Sequence, residues 1–487
     1  MSRMNSGIRR VGTSLLVLFL VVVGQLTYLQ ILRSNDLKND PNNVRVLIRD
    51  VSRPRGPIVT ADGEIVAESI PSHDDLKQQR RYPLKSLFAH VGGYQSITFG
   101  TTGVERTYND SLIGRDVTFN LSNLNKLLRG QDRTGTVVLS LSRKAQQTAH
   151  DALQGHHGSV VALDVHTGEV VAMYSEPSFD PNPLASHASK TVEAVQTFLL
   201  ADPNNPELAR AWRERYPAGS TFKVVTAALA LEAGIAPPTR LFQPRKTLTL
   251  PQTTNTLENF GGETCGGNLE ESFTVSCNTT FGQLGLDLGE RFASGIEQFG
   301  LNTAPPPSDV NPSVVRSVGP ARGSFKDNQP VFAQAAIGQN QIEVTPLEMA
   351  MIAASVGNGG EMMVPHVVTE VRDAENRTVR RIRPKVWRRA MQPATASTLT
   401  QYMVDVVQKG TGTAAQIPGV QVAGKTGTAQ VPGKPPHAWF IAFAPANNPV
   451  YAVAVLVENG GNMGNEATGG RVAAPIAAQM LRVLLGS

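Results

Sequence analysis

The sequence predicts a mixed α and β fold. Strands from two distant parts of the chain share one sheet, a helical middle packs on it, and a small mixed domain and one membrane helix precede both. Three observations lead there. Val11 to Leu32, VGTSLLVLFLVVVGQLTYLQIL, carries no charge. From Gly158, GSVVALDVHTGEVVAMYS holds two β-rich runs around a tight His166-Thr167-Gly168 turn, a strong hairpin signal. Toward the C-terminus, QVAGKTGTAQ, HAWFIAFAP and VYAVAVLVE read as three further strands, separated by Gly, Pro and Asn. The intervening STFKVVTAALALEAG, EMAMIAASVGN and ASTLTQYMVDVVQKG place apolar residues at helical spacing.

The elements follow in chain order. Residues 1–10 form a short tail with Arg3, Arg9 and Arg10. Residues 11–32 form the membrane anchor, since at ~1.5 Å per residue this run crosses a hydrocarbon core of about 30 Å. The arginines hold the tail in the cytoplasm, so the rest of the chain lies outside. A cleaved signal peptide, with Val22-Val23-Gly24 as its site, is the competing reading, but the apolar run continues past it. Residues 33–156 are polar, punctuated by turn signals such as Arg53-Pro54-Arg55-Gly56-Pro57 and Asp62-Gly63. They carry no cluster that suggests chemistry, so this domain reads as a spacer. Residues 157–487 hold the terminal strands, the helical middle and a last helix from about Gly470 to Leu485.

Composition narrows the function classes. The chain has 487 residues, 41% hydrophobic and 17% charged, a globular balance long enough for two or three domains. A net charge of +5 without a concentrated basic face gives no support to nucleic-acid binding. The basic stretch VRDAENRTVRRIRPKVWRR, Val371 to Arg389, reads as the wet face of a hairpin before it reads as a contact for anionic polymer or lipid. The two cysteines, Cys265 and Cys277, are either one disulfide or two buried thiols, and an oxidising compartment favours the disulfide.

The chemistry sits in YPAGSTFK, Tyr216 to Lys223. Pro217 and Gly219 shape the approach, and from Ser220 onward the sequence is a helix former. Residues three apart share a helix face, which places the Lys223 amine one turn above the Ser220 hydroxyl. That suits a nucleophile and its base. A serine hydroxyl needs a proton acceptor, and an amine serves only when burial or another cation lowers its pKa. A helix N-terminus adds a backbone N–H and a positive dipole end where an oxyanion develops. S-x-x-K alone is weak, but it is followed by one S-x-N (Ser276-Cys277-Asn278) and one K-T-G (Lys425-Thr426-Gly427) in that order.

On these motifs the chain resembles a class B penicillin-binding protein, most closely the penicillin-binding protein A type of actinobacteria. TTGVERTYNDSLIG, AIGQNQIEVTPLEMA and GTGTAAQIPGVQVAGKTGTAQ extend the likeness over nearly the whole chain. The resemblance implies a serine β-lactamase-like transpeptidase domain, with a five-stranded antiparallel sheet flanked by helices, above a pedestal of the class B dimerisation kind. It implies D,D-transpeptidation of peptidoglycan stem peptides in cell-wall synthesis and division, with no cofactor and no metal. Ser220 then matches the acylated nucleophile and Lys223 its base. Ser276 and Asn278 relay the proton and hold the substrate amide. Lys425 keeps Lys223 neutral and attracts the substrate carboxylate, Thr426, Gly427 and Thr428 bind substrate, and the amides of Ser220 and Thr428 form the oxyanion hole. Implied partners are the donor D-Ala-D-Ala stem, an acceptor amine, β-lactams as covalent inhibitors, the membrane, and a glycan polymerase of the shape, elongation, division and sporulation family. His437 departs from the family pattern, where many relatives carry an acid, and receives no role.

The rival readings are a D,D-carboxypeptidase or β-lactamase of the same fold, and a non-catalytic scaffold. A class A lactamase needs a glutamate in an E-x-x-L-N stretch, and EQFGLN, Glu297 to Asn302, is one residue too long. Three intact motifs disfavour a scaffold. A nucleophile elbow is excluded because residue 218 is alanine, so G-x-S-x-G fails.

Overall fold

A computed structural model describes residues 2–33, 53–115, 134–153 and 155–486. The parts of the expected pedestal at 34–52 and 116–133 lie outside the described residues. Helix α1, Ser2–Thr27, runs on into a π turn, Tyr28–Leu32. The segment Arg10–Ile31 is long and apolar enough to cross a membrane and packs against nothing else in the molecule, as a single-pass anchor would.

The lower sheet is built from short strands β1 (Ile58–Val59), β2 (Ile65–Pro71), β3 (Gln78–Arg81) and β4 (Thr136–Leu139). β1 is antiparallel to β2 and parallel to β4. PIV and EIVA, expected as apolar runs between turns, are the heart of β1 and β2. Helix α2, Arg143–Leu153, follows. It precedes the expected boundary at 157 but packs on the upper sheet and against the C-terminal helix.

The upper domain begins with strands β5 (Gly158–Asp164) and β6 (Val170–Glu176), paired through the expected His166-Thr167-Gly168 turn. Helices α3 (Lys223–Glu232), α4 (Asn278–Leu288) and α5 (Pro346–Gly357) follow. α5 starts at a proline, and the Thr345 side chain before it accepts the Glu348 N–H at 3.1 Å, the capping arrangement expected at a helix start. Strands β7 (Val368–Arg372) and β8 (Thr378–Arg381) come next and leave the upper domain to complete the lower sheet, in the order β8-β7-β4-β1-β2-β3. The first part of the basic stretch, to Arg381, therefore belongs to a hairpin whose outer strand β8 is the exposed edge, while Val386–Arg389 pairs with Glu361–Met363. Within the hairpin Arg372 and Arg381 pair with Glu370, and Arg377 with Asp373.

Helix α6, Pro393–Gln408, leads to strands β9 (Ala423–Val431), β10 (Lys434–Ala444) and β11 (Tyr451–Val457), and helix α7, Ala474–Leu485, closes the chain. The upper sheet is five-stranded and antiparallel throughout, in the order β9-β10-β11-β5-β6. α2 and α7 pack together on it, as do α5 and α6. With both faces covered, its strands are continuous apolar runs instead of alternating ones. IAFA in β10 and AVAVLV in β11 are buried residue after residue. Trp439, Phe440 and Phe443 fill the centre and are fully buried. β9 is the edge strand, so one side of its backbone is left free for another partner.

Candidate active site

The register of β9 on β10 pairs Lys425 with Ile441, Gly427 with Trp439 and Thr428 with Ala438. Alternation along the strand then separates two sets of side chains. Thr426, Thr428 and Gln430 line a cleft. Lys425 reaches Ser276, and Gly427 lies against the turn carrying Ser220. A one-residue slip would reverse both sets.

Ser220 does not begin a regular α-helix, as the sequence suggested. Residues Gly219–Phe222 form one 3₁₀ turn, and α3 starts at Lys223. Crowding against β9 explains the tighter turn. A Cβ on Gly427 would lie 2.9 Å from Thr221 Cγ2 and 3.0 Å from the Ala218 carbonyl oxygen, and one on Gly219 would lie 2.8 Å from the Thr428 carbonyl oxygen. Gly219 also has φ 54°, a conformation that suits glycine, and its N–H donates to the Gly338 carbonyl at 2.8 Å. In a 3₁₀ turn residues i and i+3 eclipse, so Ser220 and Lys223 remain on one side. Gly427, expected as a binding residue, is not among the residues lining the cleft; its missing side chain lets the Ser220 turn touch β9.

Ser276 and Asn278 are brought to the same place from the other wall. Ser276 has φ 60°, an uncommon conformation for a residue with a side chain, between helix Leu269–Thr274 and α4. The surrounding structure fixes it. Cys277 N–H donates to the Ser272 carbonyl at 2.8 Å, Thr279 N–H donates to Asn259 Oδ1 at 2.9 Å, and Cys277 is joined to Cys265 by a disulfide. Asn278 Nδ2 donates to the Glu258 carbonyl at 2.8 Å, which turns Oδ1 toward Lys223.

The two amines meet at Ser276. Lys223 Nζ donates to the Ser276 carbonyl and to Asn278 Oδ1, both at 2.7 Å, and lies 3.2 Å from Ser276 Oγ. Lys425 Nζ donates to the same Oγ at 2.9 Å. Among the described residues Ser220 Oγ makes no hydrogen bond, so this hydroxyl is unencumbered at the cleft surface. Both lysines are fully buried, and the aromatic rings of Phe281 and Phe273 stand 5.5 Å from Lys223 Nζ and Lys425 Nζ. No carboxylate pairs with either among the described residues. Burial pushes Lys223 well below the usual lysine value, and the charge of Lys425 pushes it further. Burial alone takes Lys425 down to about 7.

The cleft has a volume of about 790 Å³, and Ser220, Ser276, Asn278, Thr426 and Thr428 all open onto it, with Lys223 and Lys425 beneath its floor. Sequence reasoning did not single out several of its walls. Thr411 shares a 2.6 Å hydrogen bond with Thr426, and Gln339 and Asn340 face it. These three lie in stretches that carry the family likeness, which was the available signal. Residues 257–261 and 468–470 also line the cleft and obey no spacing rule relative to the three motifs. His437 lies below the rim, where Nδ1 accepts the Asn459 N–H at 3.0 Å. Glu297 is absent from the cleft and pairs with Arg322 at the surface. Among the described residues no group of three or more His, Cys, Asp or Glu is placed to hold a metal ion.

Comparison with known proteins agrees with this geometry. Residues 158–482 match the penicillin binding protein transpeptidase domain, and residues 55–138 match the penicillin binding protein A dimerisation domain. The chain is 40% identical over 499 residues to the peptidoglycan D,D-transpeptidase PbpA of Mycolicibacterium smegmatis, covering 99% of each. It is 38% identical over 497 residues to PbpA of Mycobacterium tuberculosis, again covering 99% of each. Among solved structures it resembles penicillin-binding protein A from M. tuberculosis as the ceftriaxone acyl-enzyme complex, with TM-score 0.84 and 38% identity over 90% of this chain and 100% of that one. The penicillin G acyl-enzyme complex of the same protein superposes with TM-score 0.82 and 38% identity, over 89% of this chain and 100% of that one.

Proposed function

The chain belongs to the penicillin-binding protein transpeptidase family, and on that premise we propose how its cleft performs the family's reaction. It is a serine-type peptidoglycan D,D-transpeptidase of cell-wall synthesis, acting on stem peptides and acylated by β-lactams. Neutral Lys223 takes the Ser220 proton as Oγ attacks the penultimate D-alanine carbonyl. The amides of Ser220 and Thr428 stabilise the oxyanion, an effect often worth ~3–4 kcal/mol per donor. Asn278 holds the substrate amide, while Lys425, Thr426 and Thr428 take the terminal carboxylate. The carbon–nitrogen bond then breaks, and the departing D-alanine amine receives the proton from Lys223 through Ser276 Oγ. A neighbouring stem's amine attacks the resulting ester, the bond to Ser220 Oγ breaks, and a proton returns to that oxygen. A β-lactam follows the first half and stays attached.

The observation that carries this reading is Ser276 Oγ held between two buried amines that have no carboxylate partner among the described residues. An ordinary structural lysine would be solvated or paired. The test is intact-mass measurement after exposure of the full-length protein to penicillin G. One stable adduct on Ser220 is expected, with none in Ser220→Ala. Labelling of that variant would refute the assignment, and rapid loss of the adduct would favour a hydrolase. Residues 33–156 are taken as the pedestal and 157–487 as the catalytic domain, with α2 of the first packing on the upper sheet and the β7–β8 hairpin of the second completing the lower one. Arg3, Arg9 and Arg10 keep the N-terminus cytoplasmic and the catalytic domain outside. Class B members lack their own glycan polymerase, so one of the shape, elongation, division and sporulation family supplies the strands.

A further inference from the structure

Cross-linking needs a second substrate, whose amine arrives when the donor already fills the β9 side of the cleft. The opposite wall differs in chemistry. Among the side chains lining the cleft, Glu258 is the one that carries a charge. It is exposed, and its carboxylate forms no hydrogen bond or ion pair among the described residues. Its backbone carbonyl accepts from Asn278 Nδ2 at 2.8 Å, and Asn278 Oδ1 accepts from Lys223 Nζ at 2.7 Å, so Glu258 stands one side chain away from the base. Beside it, Phe260 and Val275 are 66% and 54% exposed, an unusual cost for large apolar groups at a catalytic rim. The segment is held firmly. Buried Asn259 donates to the Arg245 and Glu263 carbonyls at 2.8 and 2.9 Å.

A free carboxylate next to exposed apolar side chains fits a primary ammonium on an aliphatic chain: the stem is covered by Phe260 and Val275, and the head meets Glu258. We propose that Glu258, with Phe260 and Val275, forms the acceptor subsite and binds the side-chain ammonium of the neighbouring stem peptide. This rests on the transpeptidase reading of the same cleft. The ammonium gives one proton to neutral Lys223. Its nitrogen then bonds the acyl carbon, the ester bond to Ser220 Oγ breaks, one of the two remaining amine protons passes to that oxygen and the other stays on the new amide. Lys223 returns its own proton to solvent.

The experiment uses full-length protein in detergent, a thioester analogue of the D-Ala-D-Ala donor, and Nα-acetyl-lysine amide as acceptor. It reads the partition of the acyl-enzyme between aminolysis and hydrolysis, together with the rate constant for acylation by penicillin G. In Glu258→Gln the acceptor KM is expected to rise about five-fold, the upper size of one exposed ion pair, and aminolysis to lose its salt dependence. Glu258→Asp is expected to recover part of the loss, and Phe260→Ser to raise the same KM. Unchanged partition would overturn the proposal. So would a parallel fall in penicillin acylation, which would make Glu258 a support for Asn278. A fall in hydrolysis alone would also overturn it by assigning the carboxylate to water. Wild-type protein that penicillin G does not acylate at Ser220 would instead refute the transpeptidase reading.

Discussion

Among the described residues two pairs of buried cations are treated in opposite ways. In the lower domain Arg55 and Arg80 converge on Glu105, with Nε to carboxylate distances of 2.5 and 2.6 Å and side chains at most 2% exposed. Burial pushes the Glu105 carboxyl up, but the two guanidiniums outweigh it and hold the group below its ordinary value. Asn109 and Tyr82 complete the cluster. In the upper domain Lys223 and Lys425 are as deeply buried and share a serine hydroxyl in place of a carboxylate. The first site keeps its charges by pairing them; the second sheds charge because it cannot. Guanidinium suits the former since it stays protonated, and amine suits the latter since it can lose a proton. The same burial therefore produces a strut in one place and, on the proposed mechanism, a base in the other.

The largest way to break the contrast is Lys223→Arg, which installs the permanently charged cation in the catalytic site. The penicillin acylation rate constant should fall by roughly a thousand-fold, the scale of a lost general base, measured by stopped-flow or timed mass spectrometry. Glu105→Gln reverses the other site by leaving two guanidiniums without a counter-charge. A loss of about 3–5 kcal/mol in chemical denaturation is expected. Glu105 has a depressed folded pKa, so its contribution is present above the unfolded value and disappears as pH falls through the folded one. The wild-type advantage over this variant should thus persist at neutral pH and vanish in acid. Lys425→Met should move stability the other way, a gain of about 1–4 kcal/mol at neutral pH with acylation lost. The unfolded lysine titrates near 10.5 and the folded one at about 7, so the unfolded chain holds the extra proton between them. Wild-type stability rises with pH across that window, and the gain from methionine should shrink toward its upper end.

What could be read from sequence was local. The Ser220 and Lys223 spacing, the hairpin at His166-Thr167-Gly168 and the apolar runs of β10 and β11 each depend on neighbours a few residues away. The tight turn at Ser220 was not legible, because it is imposed by Gly427 some two hundred residues later in the chain. Nor was the departure of β7 and β8 into the lower sheet. Thr, Glu and Arg outnumber their apolar side chains and read as a wet hairpin; β8 is exposed as that reading expects, but β7 is largely buried between β8 and β4, a pairing set by tertiary geometry. The Arg55, Arg80 and Glu105 cluster was hidden for a similar reason. Arg55 sits in a turn signal and Glu105 in a short polar helix, and nothing in either context marks a buried charge. The set Ser220, Lys223, Ser276, Asn278 and Lys425 escaped this limit only because its three motifs were recognisable as a group; Thr411 and Glu258, which share the cleft, have no such mark.

The claim on which all this depends is that Lys223 is uncharged at neutral pH because it is buried beside Lys425. The pH dependence of the penicillin G acylation rate constant in the wild-type protein tests it most directly. A rate that falls on the acid side, as Lys223 takes up a proton, and declines again above about 7, as Lys425 loses the charge that holds the substrate carboxylate, is the expected result. A rate that keeps climbing with pH toward the ordinary lysine value of 10.5 would contradict it.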